Sequence, residues 1–225
     1  MTIPFQVNLK DQVAVVTGGG GILCSMMADA VAQCGAKVAI LDLKPDMAQK
    51  CADAIVKAGG VAKGFACNVL DKASIEKAHE QIKAAFGPVD ILLNGAGGNH
   101  PKGTTSKEFL CREDLTAKKE GVVTFYDLTV EGIQFVFNLN FLGTFLPTQV
   151  FSKDMVHYYV HAPQRRNMFV YQAWDFAITE DAQNDYTVCC TIGQDEFDNL
   201  YVLHVFRFRS DDGNAIVEHM IDQSI

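Results

Sequence analysis

Apolar residues fall along this chain in short continuous runs separated by amphipathic stretches, and past about residue 156 the pattern changes. QVAVVT (12–17) and KVAILD (37–42) have the length and aliphatic content of buried parallel strands, and VAKGFAC (61–67) and VDILLN (89–94) read as a third and a fourth strand. Helical spacing fills the gaps. ILCSMMADAVAQCG follows four glycines and closes at Gly35; a second helix opens at Pro45 and ends at Gly59–Gly60. A third is capped by Asp71 and stops at Gly87–Pro88, and a fourth is expected over about 129–155. The βαβαβαβ alternation predicts an α/β fold with a parallel, doubly wound, Rossmann-like sheet.

Beyond residue 156 the alternation stops. RNMFVYQAWDFAITE (166–180), DYTVCCTIG (185–193) and LYVLHVFRFRS (200–210) read as three successive strands, with QDEFDN as a polar turn before the last. DDGNAIVEHMIDQSI (211–225) reads as a capped amphipathic helix. Three strands and then a helix predict a small antiparallel meander, separate from the parallel sheet, rather than more βαβ.

Charge changes at the same place. Residues 1–156 carry 15 basic and 16 acidic side chains, a net of −1, whereas 157–225 carry 4 and 11, a net of −7. All 14 lysines and 16 of the 18 glycines precede the break, and five of the six tyrosines follow it. Two segments, 1–156 and 157–225, account for this step better than one uneven domain. The overall charge of −8 disfavours an extended nucleic-acid-binding face. No apolar run reaches the ~18 residues of a membrane span, and the N-terminus lacks the basic-then-apolar pattern of a signal peptide. Seven cysteines without CxxC spacing read as reduced thiols of a cytoplasmic protein.

The glycines after the first strand suit a particular chemistry. A chain that leaves a strand and turns at once into a helix needs φ > 0 and no side chain, and the helix start then offers N–H groups to a pyrophosphate. Gly18 and Gly21, with Ile22 and Leu23, occupy that turn. Asp42 ends the second strand, 24 residues beyond Gly18, where a carboxylate binds both ribose hydroxyls and repels a 2′-phosphate. The residues thus favour NAD over NADP. The plainer alternative is a tight turn with Asp42 as a local cap.

With these motifs in place, residues 8–156 resemble the short-chain dehydrogenase/reductase family. TGGGGILC (17–24) is similar to its glycine motif, with Cys24 where the last glycine usually stands. Asn68 and Val69 match the pair that brackets adenine. NGAG (94–97) resembles the family's NNAG, with Gly95 replacing an asparagine. NFLGT (140–144) resembles its N-x-x-G-T segment. The resemblance implies the strand order 3-2-1-4, a dinucleotide partner, cofactor contacts from Asn94, Gly95 and Ala96, and a catalytic role for Asn140. The wording around 92–105 and 137–155 is similar to the branch that interconverts D-mannonate and fructuronate, which implies a sugar-acid or polyol substrate. His100 and residues 102–119 are candidates for binding it, against a solvated loop and polar helix, which the composition favours.

The family's general acid/base is a tyrosine with a lysine four residues later. None of the six tyrosines here has that lysine, and no lysine follows Lys153. The expectation is cofactor binding by a catalytically incomplete site.

In the second segment, Asp175 lies inside an apolar strand, costly for a carboxylate unless it is paired or binds a cation. A solvent-facing acid at the strand end is the alternative. YQAWDFAITEDAQNDYTVCCTIGQDEFDNLYVLHVFRFRS resembles the start of the nuclease domain of phage terminase large subunits. That resemblance implies a partial ribonuclease-H-like fold, Mg²⁺ or Mn²⁺ at Asp175, and nucleic acid as a partner. Two-metal cleavage needs several carboxylates around ions about 4 Å apart, and one aspartate does not supply them. Three readings follow: an NAD-binding, dehydrogenase-derived chain, a terminase nuclease fragment, or a non-catalytic binding or structural chimera.

Overall fold

A computed structural model describes residues 7–116, 120–157, 167–175, 187–197, 199–208 and 217–218. The chain divides into two compact units, residues 1–157 and 158–225.

In the first unit, strands β1 (Val13–Thr17), β2 (Lys37–Asp42), β3 (Val61–Ala66) and β4 (Ile91–Asn94) form one parallel sheet in the order β3-β2-β1-β4. All five residues of β1 are buried because the strand has neighbours on both edges and helices on both faces. Successive side chains point to opposite faces. Ala14, Val16, Val38 and Ile40 meet helices α1 (Ile22–Gln33) and α2 (Pro45–Lys57) through Ala28, Ala32, Ala48 and Ala52. Val13, Val15, Ala39 and Leu41 meet Ile75 and Ile82 of α3 (Lys72–Phe86) and, further along, Val150 and Phe151. Small helix residues let α1 and α2 approach closely. At Gly64 of β3 a Cβ would meet the Gln49 backbone nitrogen of α2 at 2.6 Å.

Asp71 caps α3 as its position predicts, accepting the Ala73 N–H at 3.0 Å. The fourth strand is shorter than its apolar run. One backbone bond, Asp90 N–H to Val13 O at 2.9 Å, and two carboxylates hold the residues before it: Asp90 Oδ2 accepts the Val13 N–H at 2.8 Å and Asp154 Oδ2 accepts the Val89 N–H at 3.1 Å.

Residues 102–116 are largely irregular, with a five-residue helix α4 (Arg112–Thr116) and an ion pair between Lys107 and Asp114. The helix expected over 129–155 is interrupted. Helix α5 (Val130–Phe137) passes through a π-helical turn (Asn138–Leu142) into α6 (Gly143–Met155). The cause lies at Asn140, whose Nδ2 donates to the Val136 carbonyl at 2.8 Å. An uninterrupted helix would pair that carbonyl with the backbone N–H of residue 140.

The described residues of the second unit form a three-stranded antiparallel sheet, β5 (Phe169–Asp175), β6 (Thr187–Gln194) and β7 (Leu200–Phe208), in the order β5-β6-β7. Strand β5 pairs with β6 and not with β4, so the meander is a separate sheet, as its pattern predicts. Asp195 organises the β6–β7 turn. Its carboxylate accepts the Phe197 and Asn199 N–H groups, each at 2.9 Å, the Asn199 amide at 3.0 Å and the Tyr201 hydroxyl at 3.0 Å. The predicted helix 211–225 lies outside the described residues except at 217–218. Among the described residues no helix is long and apolar enough to cross a membrane.

The end of α6 is fastened to the sheet by one carboxylate. Asp154, 7% exposed, accepts from His79 Nε2 at 2.7 Å and Lys83 Nζ at 3.2 Å, besides Val89. Burial pushes its pKa up, but His79, the Val89 N–H and Lys83 outweigh burial and hold it below the ordinary carboxylate value. A carboxylate with a depressed folded pKa stabilises the fold above its unfolded pKa, and that stability is lost as pH falls through the folded value. Asp154→Asn is expected to cost on the order of 2 kcal/mol at pH 7 in chemical denaturation. The difference from the parent chain should shrink below about pH 4. A constant difference from pH 7 to pH 3 would remove the charge from the explanation.

Candidate functional site: a crevice at the ends of β1 and β4

The crevice begins where β1 ends. Gly18 takes φ +66°, a conformation that side chains disfavour, and a Cβ there would meet Ala96 Cα at 2.9 Å. The turn is stitched to the next strand by Gly19 N–H to Leu41 O at 2.9 Å. Gly21 stands at the N-cap of α1 without a side-chain cap, so the first N–H groups of that helix face the opening unpaired by any capping side chain.

Thr17 ties the two sides together. Its hydroxyl is buried and accepts the N–H groups of Gly95 and Ala96 at 3.0 and 3.1 Å. Asp42 is fixed just as tightly. Oδ2 accepts the Gly20 N–H at 3.1 Å and Oδ1 the Lys44 N–H at 2.9 Å, so the carboxylate stands at the strand end in one orientation.

The result is an open crevice of about 540 Å³. Gly18, Gly21, Ile22, Leu23, Asp42, Asn68, Val69, Gly95 and Ala96 all line it. Ile22 and Leu23 are exposed at its mouth, where they can cover an aromatic or ribose ring. Val69 is buried, and Asn68 Oδ1 accepts the Leu70 N–H at 3.0 Å to shape that edge. Asp42 is the one charged group among the described lining residues.

Two sequence candidates stand elsewhere. Asn94 does not line the crevice, because its amide donates to Thr148 Oγ1 of α6 at 3.0 Å. Asn140 is not among the lining residues either. Its Nδ2 donates to Gly98 O at 2.8 Å and its Oδ1 accepts the Gly98 N–H at 3.2 Å, so its side chain holds the loop that follows β4. His100 belongs to that loop, with Nδ1 accepting the Lys102 N–H at 3.1 Å and its ring 5.0 Å from Phe135.

Leu43, Cys67, Gly97 and Leu139 line the crevice without being singled out by the sequence. Leu43 directly follows a predicted strand and Cys67 is the last residue of one, and that position at a strand end was the available signal. Leu139 arrives only through the α5–α6 turn. Burial, and secondarily Asp42, raise the Cys24 thiol pKa, and burial pushes Cys67 up to about 11, so both are neutral thiols at pH 7.

Asp175 lies at the end of β5 opposite Val188, and its side chain is outside the described residues. Among the described residues no cluster of three or more His, Cys, Asp or Glu side chains could hold a metal ion.

A glycine turn, an uncapped helix start and a fixed acid at the ends of adjacent parallel strands define a dinucleotide-binding class of α/β protein. The model of the short-chain dehydrogenase family matches residues 12–162, and the chain belongs to that family. It is 48% identical over 156 residues to an uncharacterized oxidoreductase of Haemophilus influenzae, covering 69% of this chain and 53% of the relative. It is 44% identical over 155 residues to the uncharacterized oxidoreductase UxuB of Bacillus subtilis, covering 68% and 53%. Among solved structures it is similar to a candidate D-mannonate oxidoreductase from Haemophilus influenzae with bound NAD. The TM-score is 0.61 at 48% identity, with 66% of this chain and 51% of that one covered. The chain spans about half the length of these relatives.

Proposed function

We propose that residues 1–156 bind NAD(H) in the β1–β4 crevice, as the nucleotide-holding part of an oxidoreductase for sugar acids or polyols. The observation that carries this is Asp42, held by Gly20 and Lys44 N–H groups at the crevice wall. Its free lone pairs suit a ribose diol, and no cation among the described lining residues is placed to accept a 2′-phosphate. The uncapped N–H groups of α1 suit the pyrophosphate, while Asn68 and Val69 suit the adenine edge. The bound cofactor would supply the hydride acceptor or donor. This chain's own residues bind it, orient it and cover it. The substrate class is supported by the wording shared with the mannonate branch and by the name of the NAD-bound relative.

The proton-transfer machinery of the family is incomplete in this chain, since no tyrosine is followed by a lysine four residues on. Asn140 positions the loop after β4 but offers no titratable proton.

A second reading concerns residues 157–225, which we infer to be of separate, terminase-like origin joined to a dehydrogenase front. The step in composition and the three-stranded meander with Asp175 on its first strand support it.

Titration of the purified chain is expected to give tighter binding of NADH than of NADPH, with the preference narrowed by Asp42→Ala. Equal or tighter NADPH binding by the unmutated chain would sink the role given to Asp42. Turnover with mannonate, fructuronate or related polyols is expected to be undetectable, since general acid/base catalysis contributes about 10²–10⁴-fold. Steady turnover abolished by Asn140→Ala would reveal another proton donor. For the second segment, nicking of supercoiled DNA in Mn²⁺ is expected to stay at background, because a lone aspartate cannot fix two metals. Cleavage lost in Asp175→Ala would overturn that expectation.

A further inference from the structure

Two departures from the family's pattern touch each other. Cys24 stands in the place of the glycine motif's last glycine, and Gly95 in the place of an asparagine after β4. Although 71 residues apart, they meet across the crevice, with the Cys24 thiol donating to the Gly95 carbonyl oxygen at 3.5 Å. A Cβ on Gly95 would collide with Cys24 Sγ. It would also lie 3.0 Å from the Thr17 carbonyl oxygen, which as backbone of the central strand has little freedom to give. By contrast, Cys24 Cβ would be 3.6 Å away, an ordinary contact. The severe conflict is therefore with one sulfur atom, beside a tight contact with the Thr17 oxygen that removing the sulfur leaves in place.

We propose that Cys24 and Gly95 are a size-matched positioning pair, in which the thiol fills the space that a side chain at 95 would take. The pair thereby sets the separation between the α1 start and the loop after β4. Both residues line the crevice, so the separation they set is its width where the dinucleotide crosses from one strand end to the other. Burial keeps the thiol protonated, which the contact needs, because a thiolate would face a carbonyl oxygen and the Asp42 carboxylate. A larger residue at one position is tolerated only with a smaller one at the other. The positioning role rests on the nucleotide reading above; the steric match does not.

A double-mutant cycle on the full chain tests both parts, using Gly95→Ala, Cys24→Ala and the pair, with melting temperature without cofactor and NADH affinity as readouts. Cys24→Ala removes the sulfur alone. Gly95→Ala is expected to lower the melting temperature by several degrees and weaken NADH binding at least tenfold. Adding Cys24→Ala should recover at least half of the lost melting temperature and bring affinity to within about threefold of the Cys24→Ala single variant. If Gly95→Ala does not fold, recovery of folding in the double variant is the same result. A double variant no better than Gly95→Ala, or a Gly95→Ala chain equal to the parent, overturns the pairing. Recovery of melting temperature without recovery of affinity overturns the positioning role. Failure of the parent itself to bind NADH removes the nucleotide reading and that role together, while the melting cycle still decides the steric match.

Discussion

The crevice depends on one buried hydroxyl. Thr17 ends the central strand, and its Oγ1 accepts the two N–H groups that open the loop after β4. Without an acceptor there, two backbone donors would be buried or the loop would lift away, at about 1–3 kcal/mol for each group left unpaired. The bond matters because of where it sits. The chain leaves β1 into α1 on one face of the sheet and leaves β4 towards α6 on the other, so the loops at these two strand ends part and leave a cleft. Thr17 tethers the loop after β4 to the end of β1, and Gly18 allows that loop to approach the glycine turn closely at Ala96.

The α5–α6 helix contributes more than cover. At one end, Asp154 binds α3 and the start of β4 through His79, Lys83 and the Val89 N–H. Near the middle, Asn140 gives up regular helical bonding and holds Gly98 with both ends of its amide. The π turn is the cost of aiming that side chain, as such turns often are near functional sites. Between these two points, Val150 and Phe151 fill the sheet face, so the helix fixes the loop after β4 relative to the core.

The antiparallel unit is built on other terms. Its central strand buries Thr187, Cys189, Thr191 and Gly193 in alternation, small and polar residues rather than the branched aliphatics of the first unit. Its order is supplied by strand pairing and by the Asp195 turn, where four donors converge on one carboxylate. The Asn199 amide, the largest influence, and the other donors hold that carboxylate below its ordinary pKa.

Much of this was legible in the chain. Strands β1 and β2 were readable because continuous aliphatic runs have no other use in a chain of this polarity, and β3, an edge strand broken by Lys63 and Gly64, from its place in the βα alternation. The glycine turn was readable because only glycine accepts φ +66° beside another backbone, and Asp71 because an acid before a helix has one common role. The first two residues of the fourth apolar run lie ahead of β4 because the Asp90 carboxylate takes the Val13 N–H and the Asp154 carboxylate takes the Val89 N–H, leaving a single backbone bond there, Asp90 N–H to Val13 O. Asn94 and Asn140 were assigned to the site by resemblance, yet each amide is directed by a partner about 40 or more residues away in sequence, Thr148 and Gly98. The contact between Cys24 and Gly95 lies further still from local reading. Local pattern follows from the burial and turn preferences of neighbouring residues, and the sequence determined those. Which polar groups meet, and which small residue makes room for which larger one, was decided by tertiary structure, because only the packed sheet brings the ends of β1 and β4 together.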